Sequence, residues 1–216
     1  MFPLLMIVFF LGLMGVAIFA GVRQSKRATE NLQQLAGTLG LQFNALPRTF
    51  GVFNPGTKAT GELRGRPVEV YSFATGSGKS RVQWCAVGVP APASGALTFH
   101  LQRQGFGTRF MEVFGAKEIQ VGDPKFDRDW FIQTSQPEYF AAALLPEVRE
   151  KISELVRELG GHARGMEFKL DQGMVRYAEM GGFSSNDVCK RCAQAAEIVC
   201  DLADVAEACA GTKAGA

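Results

Sequence analysis

Histidine is scarce in this chain of 216 residues, which contains His100 and His162 and no others. The five cysteines are odd in number and mostly fall in one predicted helix, so they do not resemble a disulfide framework. No serine occupies a nucleophile elbow, the strand-to-helix turn that presents a catalytic hydroxyl. The sequence therefore disfavours a catalytic triad and a secreted disulfide scaffold, and it predicts a reducing compartment.

Charge is absent from the first 22 residues, which read MFPLLMIVFFLGLMGVAIFAGV. A helix of that length spans about 30 Å, the thickness of the hydrocarbon core of a bilayer. A cleaved signal peptide would need a basic stretch first and small residues before the cut, but the best site, after Ala20, follows the bulky Ile18. Residues 1–22 therefore predict an uncleaved transmembrane anchor in contact with lipid.

Three cationic residues come directly after the apolar stretch: Arg23, Lys26 and Arg27. Lys and Arg close to a span are held on the cytoplasmic side, so we expect these side chains to contact the membrane surface. The sequence predicts a single-pass protein with its C-terminal body in the cytoplasm. A juxtamembrane helix over 23–40, ended by Gly40, would hold that body off the bilayer.

The rest of the chain predicts one α+β domain over 41–210 and a flexible tail over 211–216. Alternating apolar residues with glycine punctuation, between residues 41 and 133, predict an antiparallel meander of strands. The first hairpin turns near Arg64-Gly65. Further strands are expected at 81–87, 97–102, 110–114, 118–121 and 130–133.

The pattern changes to a period of 3.6 residues after Pro137, and two to three helices are expected to pack on the sheet. Helices are predicted over 137–145 and 146–159, with a hairpin turning at Asp171-Gln172-Gly173 between them and a last helix. That last helix should begin at Ser184 and reach Cys209. It carries a seam of small apolar residues suited to close packing: Val188, Cys192, Ala195, Val199, Leu202, Ala206 and Cys209.

A GKS sequence at Gly78-Lys79-Ser80 has the ending of a phosphate-binding loop. That motif needs a glycine where this chain has Phe73, and a helix where the residues after Ser80 alternate as a strand. The segment is expected to form a glycine-rich hairpin turn.

Cys189 and Cys192 are separated by Lys190 and Arg191, and cations beside a helix start favour a thiolate. The pair could therefore act as a thiol-based redox sensor. Four converging metal ligands are not available, because Cys200 and Cys209 lie further along the same helix. Small apolar packing is the favoured interpretation, with no metal and no cofactor expected.

Three carboxylates crowd the segment from Asp123 to Asp129, and Asp-Pro turn chemistry accounts for them. As an alternative, Asp123 and Asp127 with Arg103 and His100 could line a pocket between the sheet and the helices. Such a pocket would make the protein a small-ligand receptor or an enzyme.

Basic side chains predominate in the first part of the body and acidic ones in the second. Residues 23–130 carry 14 basic and 8 acidic side chains, a net charge of +6, and residues 131–216 carry 9 and 13, a net charge of −4. The overall excess of +2 is small, and no nucleic-acid-binding motif accompanies it, so nucleic acid is not an expected partner.

Three stretches carry a family resemblance: GELRGRPV at 61–68, GDPKFD at 122–127 with Phe131 and Ile132, and ALLPE at 143–147. In these the chain resembles a bacterial family of single-span, membrane-anchored proteins of unknown function. The resemblance implies a protein of the bacterial inner membrane with a cytoplasmic α+β domain, and it brings no catalytic residues.

Together these features predict a non-catalytic protein that binds other proteins at a membrane. It would serve as an accessory or scaffold subunit of a larger membrane assembly, with another membrane protein as its partner. An anchored domain meets its membrane neighbours at a raised effective concentration, so modest interfaces suffice.

Overall fold

The protein is described here from a computed structural model, which covers residues 2–45, 57–104, 118–159 and 164–214. The side chains of residues 2–5, 7–9, 11, 158, 159, 164 and 211–214 are excepted. The strand predicted at 110–114 and His162 lie outside the described residues.

The first helix, α1, runs without interruption over Phe2–Leu39. It ends because Gly40 adopts a φ of 69°, which a glycine reaches without strain. The amide of Leu41 then donates to the carbonyl of Ala36 at 2.8 Å, and that of Gly40 donates to Gly37 at 3.3 Å. These two hydrogen bonds form a Schellman cap, and they confirm the predicted end of the helix at Gly40.

The second half of α1 is part of the packed body. Ala28, Leu32, Leu35 and Ala36 are buried, at the spacing that places them on one side of a helix. They belong to the same core as the sheet, and the helix contacts β1, β2 and the last helix. The segment over 23–40 was expected to hold the body off a bilayer. Its buried residues instead pack directly against the body.

Within the described part of the chain, no helix combines the length and the apolar character of a membrane span.

The sheet has eight strands among the described residues, and every neighbouring pair is antiparallel. The α+β class is thus confirmed. The strands are β1 Gln42–Asn44, β2 Lys58–Leu63, β3 Arg66–Thr75, β4 Val82–Pro90, β5 Phe99–Arg103, β6 Trp130–Thr134, β7 Arg164–Asp171 and β8 Met174–Met180.

Strand order departs from the predicted meander after β4. The order is β1-β2-β3-β4-β8-β7-β5-β6, so the β7–β8 hairpin lies between β4 and β5. The strand predicted at 118–121 is not formed, although the amide of Ile119 donates to the carbonyl of Ile132 on β6 at 2.9 Å. One hydrogen bond beside an edge strand does not make a ladder.

Two hairpins turn where the sequence predicts them. Arg64 and Gly65 have φ values of 54° and 76°, and Gln172 and Gly173 have 52° and 71°. Positive φ at both central residues is typical of a type I′ turn, whose twist matches that of the strands it joins. The predicted turn at residues 76–80 is also confirmed, with a short 3₁₀ helix at Gly78–Ser80 directly before β4.

Among the described residues, four more helices follow α1: α2 Pro124–Asp129, α3 Pro137–Ala143, α4 Pro146–Leu159 and α5 Asn186–Ala214. The last one begins two residues after the predicted Ser184. It also continues through Ala214 into the predicted flexible tail.

All seven residues of the predicted seam on α5 are buried. The helix lies across β4 and β8 on one face of the sheet, with α1 and α4 beside it. Its alanines and cysteines let its backbone come close to the strands, as small side chains do at packed interfaces. The described residues place no helix on the opposite face, which is called here the open face.

Docking of α1 should contribute strongly to stability. Truncation of the fully buried Leu32 in Leu32→Ala should lower the free energy of unfolding by about 2–5 kcal/mol, because it leaves a cavity between α1 and the sheet. The measurement is urea denaturation of the full chain in detergent. Gln33→Ala, at an exposed neighbouring position, is the matched control and should change little. Equal stabilities for the two variants would show that α1 is not docked.

Candidate functional site

The first half of α1 is exposed on every side. Every residue from Gly12 to Gln24 is exposed, and so are Met6 and Phe10. Eight large apolar side chains in this half are exposed by between 41% and 69%: Met6, Phe10, Leu13, Met14, Val16, Ile18, Phe19 and Val22. Consecutive helical residues are 100° apart, so this surface is apolar all round and not amphipathic.

The predicted membrane-surface residues stand directly after this apolar half. Arg23, Lys26 and Arg27 are all exposed. Lys26 also lies one helical turn from Glu30, with Nζ 3.7 Å from Oε1. A pair this exposed contributes little energy, so it does not prevent Lys26 from meeting an anionic surface.

α1 joins the body at Gln24. Its Nε2 donates to Oγ of Ser184 at 3.4 Å, and Nδ2 of Asn31 donates to the carbonyl of Phe183 at 2.7 Å. Both acceptors belong to the segment that connects β8 to α5. The apolar half of α1 therefore leaves the body at the end of the sheet where β8 ends.

Aromatic side chains gather on the open face near the same end. The rings of Phe73 and Trp84 lie on neighbouring strands, stacked with centroids 6.0 Å apart, and Tyr71 continues the row at 6.1 Å. Cζ of Arg176 lies 5.2 Å from the Phe73 ring centroid, close enough for a cation–π contact. This cluster was not among the residues predicted from the sequence, although Tyr71 and Phe73 alternate with buried residues along β3.

A charged pair is buried beneath α5. Nε of Arg191 donates to Oε2 of Glu179 at 2.7 Å, and the two side chains are 6% and 0% exposed. Burial raises the pKa of Glu179 from an ordinary 4.5 to about 7, and the guanidinium opposes that rise without cancelling it. Arg191 was expected to act as a cation beside the two cysteines, whereas its Nε donates to Glu179 on β8.

Cys189 and Cys192 sit in an environment that opposes a thiolate. Cys192 is fully buried, and burial raises its pKa well above the usual value. Burial likewise raises the pKa of the half-buried Cys189 to about 11, and its Sγ donates to the carbonyl of Phe183 at 3.5 Å. Both residues act as small packing groups in this geometry, and a redox role stays untested.

The predicted turn chemistry accounts for the carboxylates of the acidic segment. Asp123 caps α2, where Oδ1 accepts from the amides of Lys125 and Phe126 at 3.1 Å. The carboxylate of Asp127 accepts from the amides of Val121 at 2.9 Å and Gly122 at 3.2 Å. Each carboxylate therefore has a structural role in ordering the connection into α2.

The residues proposed for a pocket are not brought together. His100 and Arg103 are three residues apart on β5, and side chains at odd spacing in a strand point to opposite faces. Nε2 of His100 lies 3.0 Å from Oε2 of Glu167 on the open face. Within the described residues, no group of three His, Cys, Asp or Glu side chains is placed to hold a metal ion.

Two shallow grooves flank α5 on the outer side of the helix layer. One, of about 270 Å³, lies between α1 and α5 and is lined by residues that include Asn31, Leu35 and Cys189. The other, of about 200 Å³, lies between α4 and α5 around Leu155 and Ile198. Neither corresponds to the predicted pocket between the sheet and the helices.

A network of ion pairs ties the β2–β3 turn to the far end of α5. Nη2 of Arg66 lies 2.6 Å from both Asp204 and Glu207. Arg64 and Lys151 both bind Asp201, at 2.5 and 2.6 Å. Burial disfavours ionisation of Asp201, but the hydrogen bonds from the two cations outweigh it and lower its pKa.

The raised pKa of Glu179 should make stability depend on pH. Between about pH 4.5 and 7 the folded chain holds a proton on Glu179 that the unfolded chain has released, so the free energy of unfolding falls as pH rises. The slope from this group is at most about 1.4 kcal/mol per pH unit. The advantage of wild type over Glu179→Gln in urea denaturation should therefore shrink with rising pH, and an advantage that grows would contradict this account.

The two cysteine thiols should react slowly in the folded protein. With a pKa of about 11 against an ordinary 9.0, Cys189 should be alkylated by iodoacetamide roughly a hundredfold more slowly than a free thiol at neutral pH. Cys192 should be slower still, because it is inaccessible as well. Mass spectrometry of the alkylated chain measures both rates, with the urea-unfolded chain as the control. Fast alkylation of native Cys189 would restore the redox interpretation.

No protein-family model matches the chain, and no curated protein matches it. Among solved structures, the fold is similar to the crystal structure of the mycobacterial trehalose monomycolate transport factor A, TtfA, with 9% sequence identity and a TM-score of 0.46. The match covers 84% of this chain and 95% of that one.

Proposed function

We propose that this protein is a single-pass, membrane-anchored interaction module, a non-catalytic accessory or scaffold subunit of a larger membrane assembly. Residues 1–22 insert into the bilayer, and the α+β body is held at its cytoplasmic surface. The observation that carries this proposal is the first half of α1, which has no charge in 22 residues and exposes apolar side chains all round.

Water is a poor environment for such a surface. Transfer of a fully exposed Val, Leu, Ile or Phe side chain out of water is favourable by about 1.5–3 kcal/mol. For eight large side chains, the total free energy of transfer is therefore on the order of 10 kcal/mol. A bilayer can accommodate this segment, because a helix forms its backbone hydrogen bonds internally and leaves no polar backbone group unpaired in lipid. A resident of the bacterial inner membrane, as the family resemblance implies, would have this arrangement.

Orientation in the membrane is proposed from the charges that follow the apolar half. Arg23, Lys26 and Arg27 are exposed at the point where the helix joins the body, and positive residues beside a span favour the cytoplasmic side. Because α1 continues into the body without a break, the body is held at one orientation to the anchoring helix. Ala17 and Gly21, one helical turn apart, offer a partner helix a close approach.

Anchoring should depend on the apolar half alone. The double variant Leu13→Arg and Val16→Arg places two charges near the middle of the segment, and each is expected to cost about 3 kcal/mol on insertion. Wild type should float with lipid vesicles in a density gradient and resist carbonate extraction, and the variant should be found with the soluble fraction.

The matched control is Gln33→Arg, which adds a charge at an exposed position in the docked half of the same helix. It should behave as wild type. A wild-type chain that stays in the soluble fraction, or a first segment removed by proteolysis in the cell, would overturn the proposal.

Partner binding should require the anchor, because tethering supplies the effective concentration. After cross-linking in membranes and mild detergent extraction, a membrane protein is expected to co-purify with wild type and to be lost from the Leu13→Arg, Val16→Arg variant. Repeated recovery of wild type as a lone monomer would contradict an interaction role.

A further inference from the structure

The turn between β3 and β4 lies at the end of the sheet from which α1 leaves the body. Trp84 on β4 is opposite Met180, the last residue of β8, and the amide of Gly181 donates to the carbonyl of Gln83 at 2.9 Å. The segment that follows Gly181 is the one that binds Gln24 and Asn31 of α1. The β3–β4 turn therefore projects on the same side as the proposed membrane anchor.

This turn is cationic, and no acidic residue lies close to it in the sequence. Lys79 and Arg81 are exposed, and neither forms an ion pair with a described residue. No Asp or Glu occurs in the sequence between Glu69 and Glu112. Among the described residues, the exposed acids around the exit of α1 are Glu30 and Asp187, and the exposed cations there are Arg23, Lys26, Arg27, Lys79, Arg81 and Lys190.

The cationic excess is local to this part of the sheet end. Helix α2 leads into β6 at the same end, but β6 is four strands from β4, a distance of about 19 Å. Its cations Lys125 and Arg128 are balanced by Asp127 and Asp129. The side of the body near β3 and β4 is therefore the one that an anionic surface would attract.

Amphipathic and apolar side chains lie just behind the turn, on the open face. Phe73 and Trp84 are half-buried, and Met180 is 39% exposed. Trp84 and Met180 meet over Gly165, where an added Cβ would lie 3.0 and 2.9 Å from their atoms. Nε1 of Trp84 donates to Oγ1 of Thr75 at 2.8 Å, so its polar edge is directed toward the turn.

We propose that the β3–β4 turn, with Lys79 and Arg81 at its tip and Phe73, Trp84 and Met180 behind it, is a second membrane contact that binds the anionic headgroup surface of the bilayer. This inference rests on the proposed function, because the anchor brings the turn to the lipid. Tryptophan and an adjoining row of cations are what the headgroup region favours, since the ring is amphipathic and the lipid phosphates are negative.

The contact would fix how the body lies on the membrane. The anchor alone leaves the body able to rotate about the axis of α1 and to tilt with it. A second attachment on the β3–β4 side removes this freedom and turns the two grooves beside α5 in one defined direction. Each cation should shift the equilibrium between lipid-bound and free turn by about fivefold at low salt, and by less as salt screens the charges.

Tryptophan fluorescence of the full chain in vesicles tests the proposal, because Trp84 and Trp130 are its two tryptophans and Trp130 is buried in the core. The vesicles contain phosphatidylglycerol, and phosphatidylcholine brominated in the upper part of its acyl chains. Wild-type emission should be quenched, and emission of Trp84→Phe, which reports Trp130 alone, should not. Quenching should fall when phosphatidylcholine replaces the anionic lipid.

Charge variants identify the residues responsible. Lys79→Glu with Arg81→Glu should lower the quenching of Trp84 towards the level of Trp84→Phe, while flotation of the chain stays unchanged. The matched control is Lys58→Glu with Lys169→Glu, which reverses the same number of charges in the other half of the open face. That control should be quenched as wild type is.

Three results would overturn the proposal. A wild-type chain that floats with vesicles but shows no quenching of Trp84 refutes the second contact and leaves the anchor intact. A chain that does not float refutes both. If instead the detergent-solubilised chain changes its Trp84 emission with single-stranded DNA, and the vesicles leave it unchanged, the turn recognises nucleic acid and not lipid.

Discussion

The packing of residues 25–39 against the sheet and α5 is the interaction on which the rest of the molecule depends. Because α1 is one continuous helix, whatever fixes its second half also fixes the direction of its first. Leu32, Leu35 and Ala36 give that second half an apolar side, and Asn31 adds a hydrogen bond to the segment after β8. An apolar helix on a flexible linker would carry the same residues without a fixed direction relative to the body.

The helix layer is possible because α5 is made of small residues where it meets the sheet. The helix lies close over β4 and β8 because Cys192, Ala195 and Val199 are small. The core also contains a row of contacting aromatic rings, which are Trp130, Phe168 and Tyr177. The Glu179–Arg191 pair is a polar exception under this helix. Its desolvation is costly, and replacement of such pairs by apolar residues is often neutral or stabilising. It joins α5 to β8 by a direct contact between a guanidinium and a carboxyl group.

Local features of the fold could be predicted from the sequence, and long-range pairing could not. The Arg64-Gly65 and Gln172-Gly173 turns, the stop at Gly40 and the buried seam of α5 all follow from residues that are neighbours in the chain. The insertion of β7–β8 between β4 and β5 depends on which strand edges meet in space, and alternation of side chains is the same for either neighbour. The pairing of Arg191 with Glu179 was missed for a similar reason, because it depends on where α5 lies over β8. The Phe73–Trp84 stack joins two strands that are neighbours in the predicted meander, but it depends on their exact register.

The division of charge along the sequence has a different meaning in space. Residues 23–130 have a net charge of +6, and residues 131–216 have a net charge of −4. The two segments come into contact near the C-terminal end of α5. There Arg64 and Arg66, from the basic segment, are neutralised by Asp201, Asp204 and Glu207, from the acidic one. At the opposite end, around the β3–β4 turn and the exit of α1, Lys79 and Arg81 form no ion pair with a described residue. Among the described residues, exposed cations therefore outnumber exposed acids near the β3–β4 turn, at the end from which the apolar helix projects.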